Sequence, residues 1–176
     1  MVKNSANTPQ KVLIITTGGT IEKTYDEGEG TLHNRETTIR RKIVERLRLP
    51  YTHIEVKSIM AKDSLDMTDD DRQIVLDAIK LFAKFNNPIV VLHGTDTMQN
   101  TAELVQKLWA NVNVPVVFTG AMKPLGFEDS DAMQNVVEAI YAAKIVNPGV
   151  YISFHNRLFT VPGVRKNKTK RTFESF

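Results

Sequence analysis

Three short segments bring glycine together with hydroxyl and charged side chains: Thr17-Gly18-Gly19-Thr20, His93-Gly94-Thr95-Asp96-Thr97 and Thr119-Gly120-Ala121-Met122-Lys123. Paired glycines let a backbone turn sharply, so Gly18-Gly19 can leave Thr20 displayed for attack on an electrophile. A phosphate turn is a second use, but the G-x-G-x-x-G spacing and the lysine–hydroxyl pair of a P-loop are missing. A third is that the Thr20 hydroxyl merely bonds its own turn. Thr95 and Asp96 deliver a hydroxyl and a carboxylate at one point. They can bind a substrate ammonium group, or Asp96 or Thr97 can cap a following helix. A threonine hydroxyl needs a base to take its proton. The four histidines, 33, 53, 93 and 155, show no acid–histidine partner pattern. A lysine crowded by other cations is the remaining candidate, and Lys166, between Arg165 and Lys168, has that setting. Against it stands the plainer reading of a solvated basic face.

These groups need elements to place them. Lys11–Thr17, Pro88–His93 and Val114–Thr119 are β-branched, apolar runs closed by glycine and read as strands buried on both faces. His53–Met60 and Gly149–Phe154 are weaker strands. Ile74, Val75, Ala78, Ile79 and Phe82 form one helical stripe, opened by a capping box at Thr68-Asp69-Asp70-Asp71. Ala102, Val105 and Trp109, then Ala132, Val136, Val137 and Ile140, repeat the period; Thr37–Arg48 is shorter and more charged. Alternating buried strands and amphipathic helices predict a single α/β domain, a doubly wound, mostly parallel sheet of flavodoxin or Rossmann type. In such sheets ligands bind beyond the carboxyl ends of the strands, so all three glycine segments open on one crevice. Residues 1–10 read as a flexible segment before a domain over 11–176. The stretch Ile21–Glu36, with Gly28, Gly30 and no period, reads as a mobile loop over the crevice.

The chain has 176 residues, 41% hydrophobic and 24% charged, which suits one compact domain. It contains no cysteine, which excludes disulfides, thiolate metal sites and cysteine nucleophiles. No metal or cofactor is expected, since the histidines are scattered and Asp69-Asp70-Asp71 is better explained as a helix start. No apolar run is long enough for a membrane span, and the start is too polar for a secretory signal, which points to the cytoplasm. The net charge of +3 resides in the tail, 164–171. Without Arg165, Lys166, Lys168, Lys170 and Arg171, 18 basic face 20 acidic residues, so nucleic acid is not an expected partner.

Taken together, Thr16-Thr17-Gly18-Gly19-Thr20-Ile21, His93-Gly94-Thr95-Asp96-Thr97-Met98 and Gly120-Ala121-Met122-Lys123-Pro124 resemble the bacterial-type L-asparaginase family, in its short single-domain form. Asp63-Ser64-Leu65-Asp66-Met67 and the tail match in part. The resemblance implies hydrolysis of L-asparagine to L-aspartate and ammonia, with weaker action on glutamine, through an acyl-threonine. It implies Thr20 as nucleophile, oriented by Tyr25, and a second cluster of Thr95, Lys166 and Asp96. Asp96 would also hold the substrate's α-ammonium and Ser64 its α-carboxylate. Ala121 would lie against the side-chain amide, and backbone N–H groups at the Gly19 and Gly94 turns would meet the oxyanion. Leu65 stands where larger relatives commonly carry a substrate-binding glutamine. The smaller second domain of those relatives is missing from the sequence, so a homo-oligomer, joined through apolar residues such as Val161 and Phe176, is expected to complete the site. Two other functions stay open: an amidotransferase subunit acting near transfer RNA, and a non-catalytic small-amino-acid binding module.

Overall fold

The computed structural model describes residues 9–34 and 37–176. Most of the flexible segment expected over 1–10 lies outside the described residues, and Gln10 already pairs with Thr52. In chain order the elements are β1 (Gln10–Gly18), a 3-10 turn (Thr20–Glu22), β2 (Lys23–Asp26), β3 (Thr31–Asn34), α1 (Ile39–Lys42) and a 3-10 turn (Val44–Arg46). Next come β4 (Thr52–Lys62), a 3-10 turn (Ser64–Asp66), α2 (Asp69–Ala83), β5 (Ile89–Leu92), α3 (Met98–Leu108) and β6 (Pro115–Thr119). The chain ends with α4 (Ala132–Ile145), β7 (Gly149–Phe154), β8 (Arg157–Thr160), β9 (Val164–Asn167) and β10 (Thr172–Ser175).

The main sheet runs β4-β1-β5-β6-β7-β8, parallel except for β8 at the edge. The five strands read from sequence are its five parallel members. Side chains alternate across it because successive Cβ atoms point to opposite faces. Leu13, Ile15, Ile89, Val91, Val116 and Phe118 pack beneath α2 and α3. Val12, Ile14, Val90, Leu92 and Val117 pack beneath α1 and α4. With both faces covered, this is the doubly wound α/β fold. β1 lies between β4 and β5, so the winding reverses between β1 and β5, and the crevice opens there.

Five local expectations change. Within its described part, Ile21–Glu36 is no aperiodic loop: it holds a 3-10 turn and the β2–β3 hairpin. Asp26 organises the reversal, accepting hydrogen bonds from the Gly28 and Glu29 N–H groups, and Gly30 adopts φ +67°. The Thr37–Arg48 helix stops after Lys42, because only Ile39 and Ile43 bury while Arg40, Arg41 and Lys42 crowd one turn. The basic tail is the β9–β10 hairpin, solvated as expected at Arg165, Lys168, Lys170 and Arg171 but not at Lys166. Glu174 makes it possible by accepting hydrogen bonds from Arg165, Asn167 and Lys170. Val161, expected on the surface, is buried with Val164 and Phe173, whereas Phe176 is exposed. On α2, Ile74 turns outward, and Leu76 and Ala83 take the buried face with Val75 and Ile79.

The strand ends converge with little between them but backbone. Thr17 Oγ1 donates to the Leu92 carbonyl at 3.0 Å, and the His93 N–H donates to the Thr119 carbonyl at 2.9 Å. The His93 ring is fully buried, with Nδ1 2.8 Å from the Gly94 carbonyl and Nε2 2.8 Å from Thr101 Oγ1. A Cβ on Gly19 would collide with the Gly94 backbone, and one on Gly120 with the His93 carbonyl.

Gly19→Ala places a side chain at φ +83° against Gly94, and should cost about 2 kcal/mol or more in a denaturant titration. Gly126→Ala, whose Cβ meets nothing within 4 Å, should be near neutral. Burial holds the His93 imidazole down at about 4, against an ordinary 6.5. The unfolded chain therefore takes up this proton first on acidification, and the stability present above pH 6.5 declines toward pH 4. The difference is on the order of 3 kcal/mol. A His93→Gln variant should show a shallower loss over that window when melting temperature is followed against pH.

Candidate functional site

The turn after β1 delivers Thr20. Gly18 at φ +96° and Gly19 at φ +83° occupy the left-handed region, which lets the strand break sharply into the 3-10 turn. Gly19 N–H is fixed by the Lys62 carbonyl at 2.8 Å. Glu22, two residues beyond Thr20, folds back so that Oε2 accepts from Gly18 N–H at 2.8 Å. The turn is thus bonded by Glu22. The Thr20 hydroxyl has no hydrogen-bond partner among the described residues and is half-buried, which removes the reading in which it bonds its own turn. Burial pushes the Glu22 carboxyl above its ordinary value, against the lowering from the Gly18 N–H and the nearby Thr37 and Thr16 hydroxyls. No feature of the sequence singles Glu22 out; the residues around it do not mark it as buried.

Gly94 meets Gly19 backbone to backbone, so Thr95, one residue on, enters the same crevice as Thr20. Thr95 is buried. Lys166, from β9, reaches across the end of the sheet and places Nζ 2.7 Å from Thr95 Oγ1 and 3.0 Å from Asp96 Oδ1. The lysine side chain is 15% exposed and the aspartate 29%. Helix capping does not claim Asp96. Thr97 holds the N-cap position of α3 without a side-chain cap, and its hydroxyl donates instead to the Ser64 carbonyl at 2.8 Å. Lys166 is not crowded by its sequence neighbour, because Arg165 points to the other side of β9 and pairs with Glu174 at 2.9 Å.

Ser64 forms the opposite wall. It is 1% exposed, and its Oγ has no hydrogen-bond partner among the described residues. A Cβ on Gly94 would stand 2.5 Å from that oxygen, so only glycine at 94 leaves room for Ser64 at the crevice wall. A buried hydroxyl left unpaired is costly, and a ligand group would satisfy it. Asp63, before it, accepts from Lys23 Nζ at 2.5 Å and from Leu65 N–H at 3.1 Å. Burial pushes the Asp63 carboxyl up, but the Lys23 ammonium, the Leu65 N–H and the charge of Lys166 outweigh it and hold the group below its ordinary value. Leu65 is 70% exposed beside this wall.

Ala121 is buried, in the loop after β6. Asp131 fixes that loop, accepting from Met122 N–H and Lys123 N–H, each at 3.0 Å. Tyr25 stands apart from the rest. It lies on β2, 63% exposed, and its hydroxyl has no hydrogen-bond partner among the described residues. Gly19, Thr20, Ser64, Gly94, Thr95, Asp96 and Lys166 are therefore tied together by direct contact or chain adjacency around the β1–β5 ends, and Tyr25 sits on the hairpin beyond them. Chemically, the crevice offers a free hydroxyl, a lysine–threonine–aspartate cluster and an unpaired buried serine. That combination suits a small zwitterion presented to a nucleophile.

The family model described as asparaginase, N-terminal, matches residues 11–176. L-asparaginase 1 of Escherichia coli K12 is 37% identical over 110 residues, 62% of this chain and 31% of that protein. The thermostable L-asparaginase from Thermococcus kodakarensis superposes with a TM-score of 0.84 at 28% identity, covering 95% of this chain and 51% of its own. A component of the glutamyl-tRNA(Gln) amidotransferase of Haloquadratum walsbyi is 32% identical over 91% of this chain and 38% of that protein. The chain thus spans about half the length of these relatives or less. No helix among the described residues is long and apolar enough to cross a membrane. Matched along almost its whole sequence by one model and on one fold, the chain belongs to the asparaginase family, to its N-terminal domain.

Proposed function

We propose that this chain hydrolyses L-asparagine to L-aspartate and ammonia through an ester on Thr20. The observation that carries the reading is the contact of Gly19 with Gly94, which brings the free Thr20 hydroxyl and the Lys166–Thr95–Asp96 cluster to one crevice. The substrate's α-ammonium binds Asp96, its α-carboxylate meets the unpaired Ser64 Oγ, and its side-chain amide lies between Thr20 and Thr95 against Ala121. Thr20 Oγ attacks the amide carbon and its proton is relayed to the amide nitrogen, while N–H groups at the Gly19 and Gly94 turns receive the developing negative charge. The C–N bond breaks as the nitrogen takes a proton, and ammonia leaves. A water then cleaves the ester: its proton passes through Thr95 to Lys166, which enters this step as the neutral amine, and from there to the departing Thr20 oxygen, restoring the threonine hydroxyl and the free amine. Tyr25 is carried toward Thr20 when the β2–β3 hairpin closes over bound substrate and excludes water. Glutamine, longer by one methylene, is the weaker substrate. The chain acts as a cytoplasmic homo-oligomer, the second copy completing the wall above Ser64; exposed Phe176 is the candidate contact.

An amidotransferase component is the second reading, favoured by the Haloquadratum relative. Glu174 pairs with both Arg165 and Lys170, but exposed Lys168 and Arg171 leave the hairpin positively charged. Steep salt dependence of transfer RNA binding would support it.

Three variants test the assignment by ammonia release and melting temperature. Thr20→Ala should lower turnover by on the order of a thousandfold or more with an unchanged melting temperature, since its hydroxyl bonds nothing. Ser64→Ala should raise KM for asparagine by about tenfold without loss of stability, because its Oγ has no protein partner to lose. Asp96→Ala should weaken both KM and turnover. Binding of asparagine without ammonia release by the unsubstituted chain would leave only a binding module, and light scattering of the active species as a monomer would end the oligomer proposal.

A further inference from the structure

A second hydrogen-bonded chain, outside the crevice, connects two of its walls. Asp131 holds the N-cap position of α4, yet its carboxylate caps no N–H of the helix. Oδ1 accepts from Met122 N–H and Lys123 N–H at 3.0 Å, and Oδ2 from Met122 N–H and Asn135 Nδ2 at 3.0 Å. His155 Nε2 approaches the same Oδ2 at 2.8 Å. The other ring nitrogen, Nδ1, stands 3.0 Å from Thr172 Oγ1, on β10. Thr172 pairs across the hairpin with Asn167, the neighbour of Lys166. Asn135 completes the frame, donating to the Gly120 carbonyl at 2.9 Å and accepting from His155 N–H at 3.1 Å.

The backbone at His155 is shaped for this purpose. His155 and Asn156 form the two-residue reversal between β7 and β8, with φ +46° and +60°. Such turns ordinarily take asparagine and glycine, and a histidine there is strained. The strain aims the imidazole at Asp131 on one side and Thr172 on the other. Asp131 answers as an anion: burial pushes its carboxyl up, but the Met122 and Lys123 N–H groups and His155 outweigh it and hold the group below its ordinary value. In the neutral ring, Nε2–H donates to Asp131 and Nδ1 accepts from the Thr172 hydroxyl. That tautomer satisfies every polar atom on the path.

We propose that Asp131 and His155 are positioning residues that set the distance between the Ala121 loop and the Lys166 hairpin, and so the width of the space left for the substrate's side-chain amide. Neither touches the crevice. The chain runs from Met122 and Lys123 through Asp131, His155 and Thr172 to the hairpin that carries Lys166. The inference rests on the hydrolytic reading for its kinetic consequence, but not for its structural one.

The test compares His155→Gln, Thr172→Val and Asp131→Asn in the full chain by three readouts. Ammonia release from asparagine should show kcat/KM down about tenfold or more in each, with KM for glutamine changing less than KM for asparagine as the space widens. The double variant His155→Gln/Thr172→Val should lose no more than either single one, since both cut one chain; independent structural damage would add. Amide hydrogen exchange should accelerate at Met122 and Lys123 in Thr172→Val, although Thr172 touches neither. Wild-type kcat/KM in all three variants, additive losses, or unchanged exchange at Met122 and Lys123 in Thr172→Val would each overturn the proposal. If the unsubstituted chain releases no ammonia, the hydrolytic reading falls, and the exchange measurement alone decides the coupling.

Discussion

Backbone against backbone is the constraint on which the site depends. Where β1, β4, β5 and β6 end, Gly18 abuts Lys62, Gly19 abuts Gly94, and Gly120 lies under the His93 carbonyl. Any side chain at these points would wedge the strand ends apart. Their absence lets Gly19 meet Gly94 and Gly94 meet Ser64, with Thr20 and Thr95 each one residue from the first contact. The rest of the fold serves to keep this junction closed. Two apolar layers clamp the sheet, the Thr17 hydroxyl ties β1 to β5, and buried His93 joins β5 to α3 through Thr101.

Close packing of bare backbone leaves polar groups that the protein must satisfy by other means. Glu22 does so for Gly18 N–H, Lys62 for Gly19 N–H, and Asp131 for the N–H groups after Ala121. Several buried side-chain atoms among the described residues stay unpaired, Thr16 Oγ1 and Glu22 Oε1 among them, and Ser64 Oγ is the one packed against Gly94. Selection for stability alone would fill or pair that position, since a buried orphan hydroxyl costs on the order of 1–3 kcal/mol. Its retention beside Gly94 is the kind of local inconsistency that marks a place for a ligand.

Where physics is local, the sequence is legible. Strands apolar on both faces announce themselves without tertiary context, and so Lys11–Thr17, Pro88–His93 and Val114–Thr119 stand out together with the ends that carry Thr20, Thr95 and Ala121. The capping box at Thr68 forms as its spacing implies, with Asp71 as reciprocal partner. The β2–β3 and β9–β10 hairpins escape such a reading because their strands of four residues carry no apolar alternation, and their registers come from partners across a turn. Lys166 illustrates the difference. Its basic neighbours imply crowding by like charge, but strand alternation sends Arg165 to Glu174 and Lys166 to Thr95 and Asp96. Glu22, Asp131 and His155 leave no local signal at all, since each matters only for the backbone group it meets in three dimensions.

The charges around the crevice are arranged in pairs, Lys23 with Asp63 and Lys166 with Asp96, so these four groups sum to no net charge. A zwitterion adds no net charge to such a site, but it redistributes what is there. On the proposed reading its ammonium shares Asp96 with Lys166. Two cations on one carboxylate repel at short range in a partly dry cleft, where the interaction is several times stronger than in water. The repulsion favours loss of a proton from the ammonium to water, and only the neutral amine, already 2.7 Å from Thr95 Oγ1, can accept one from that hydroxyl. The crowding that the sequence places in the tail would then arrive with the substrate itself, and a base would be assembled only when there is something to hydrolyse.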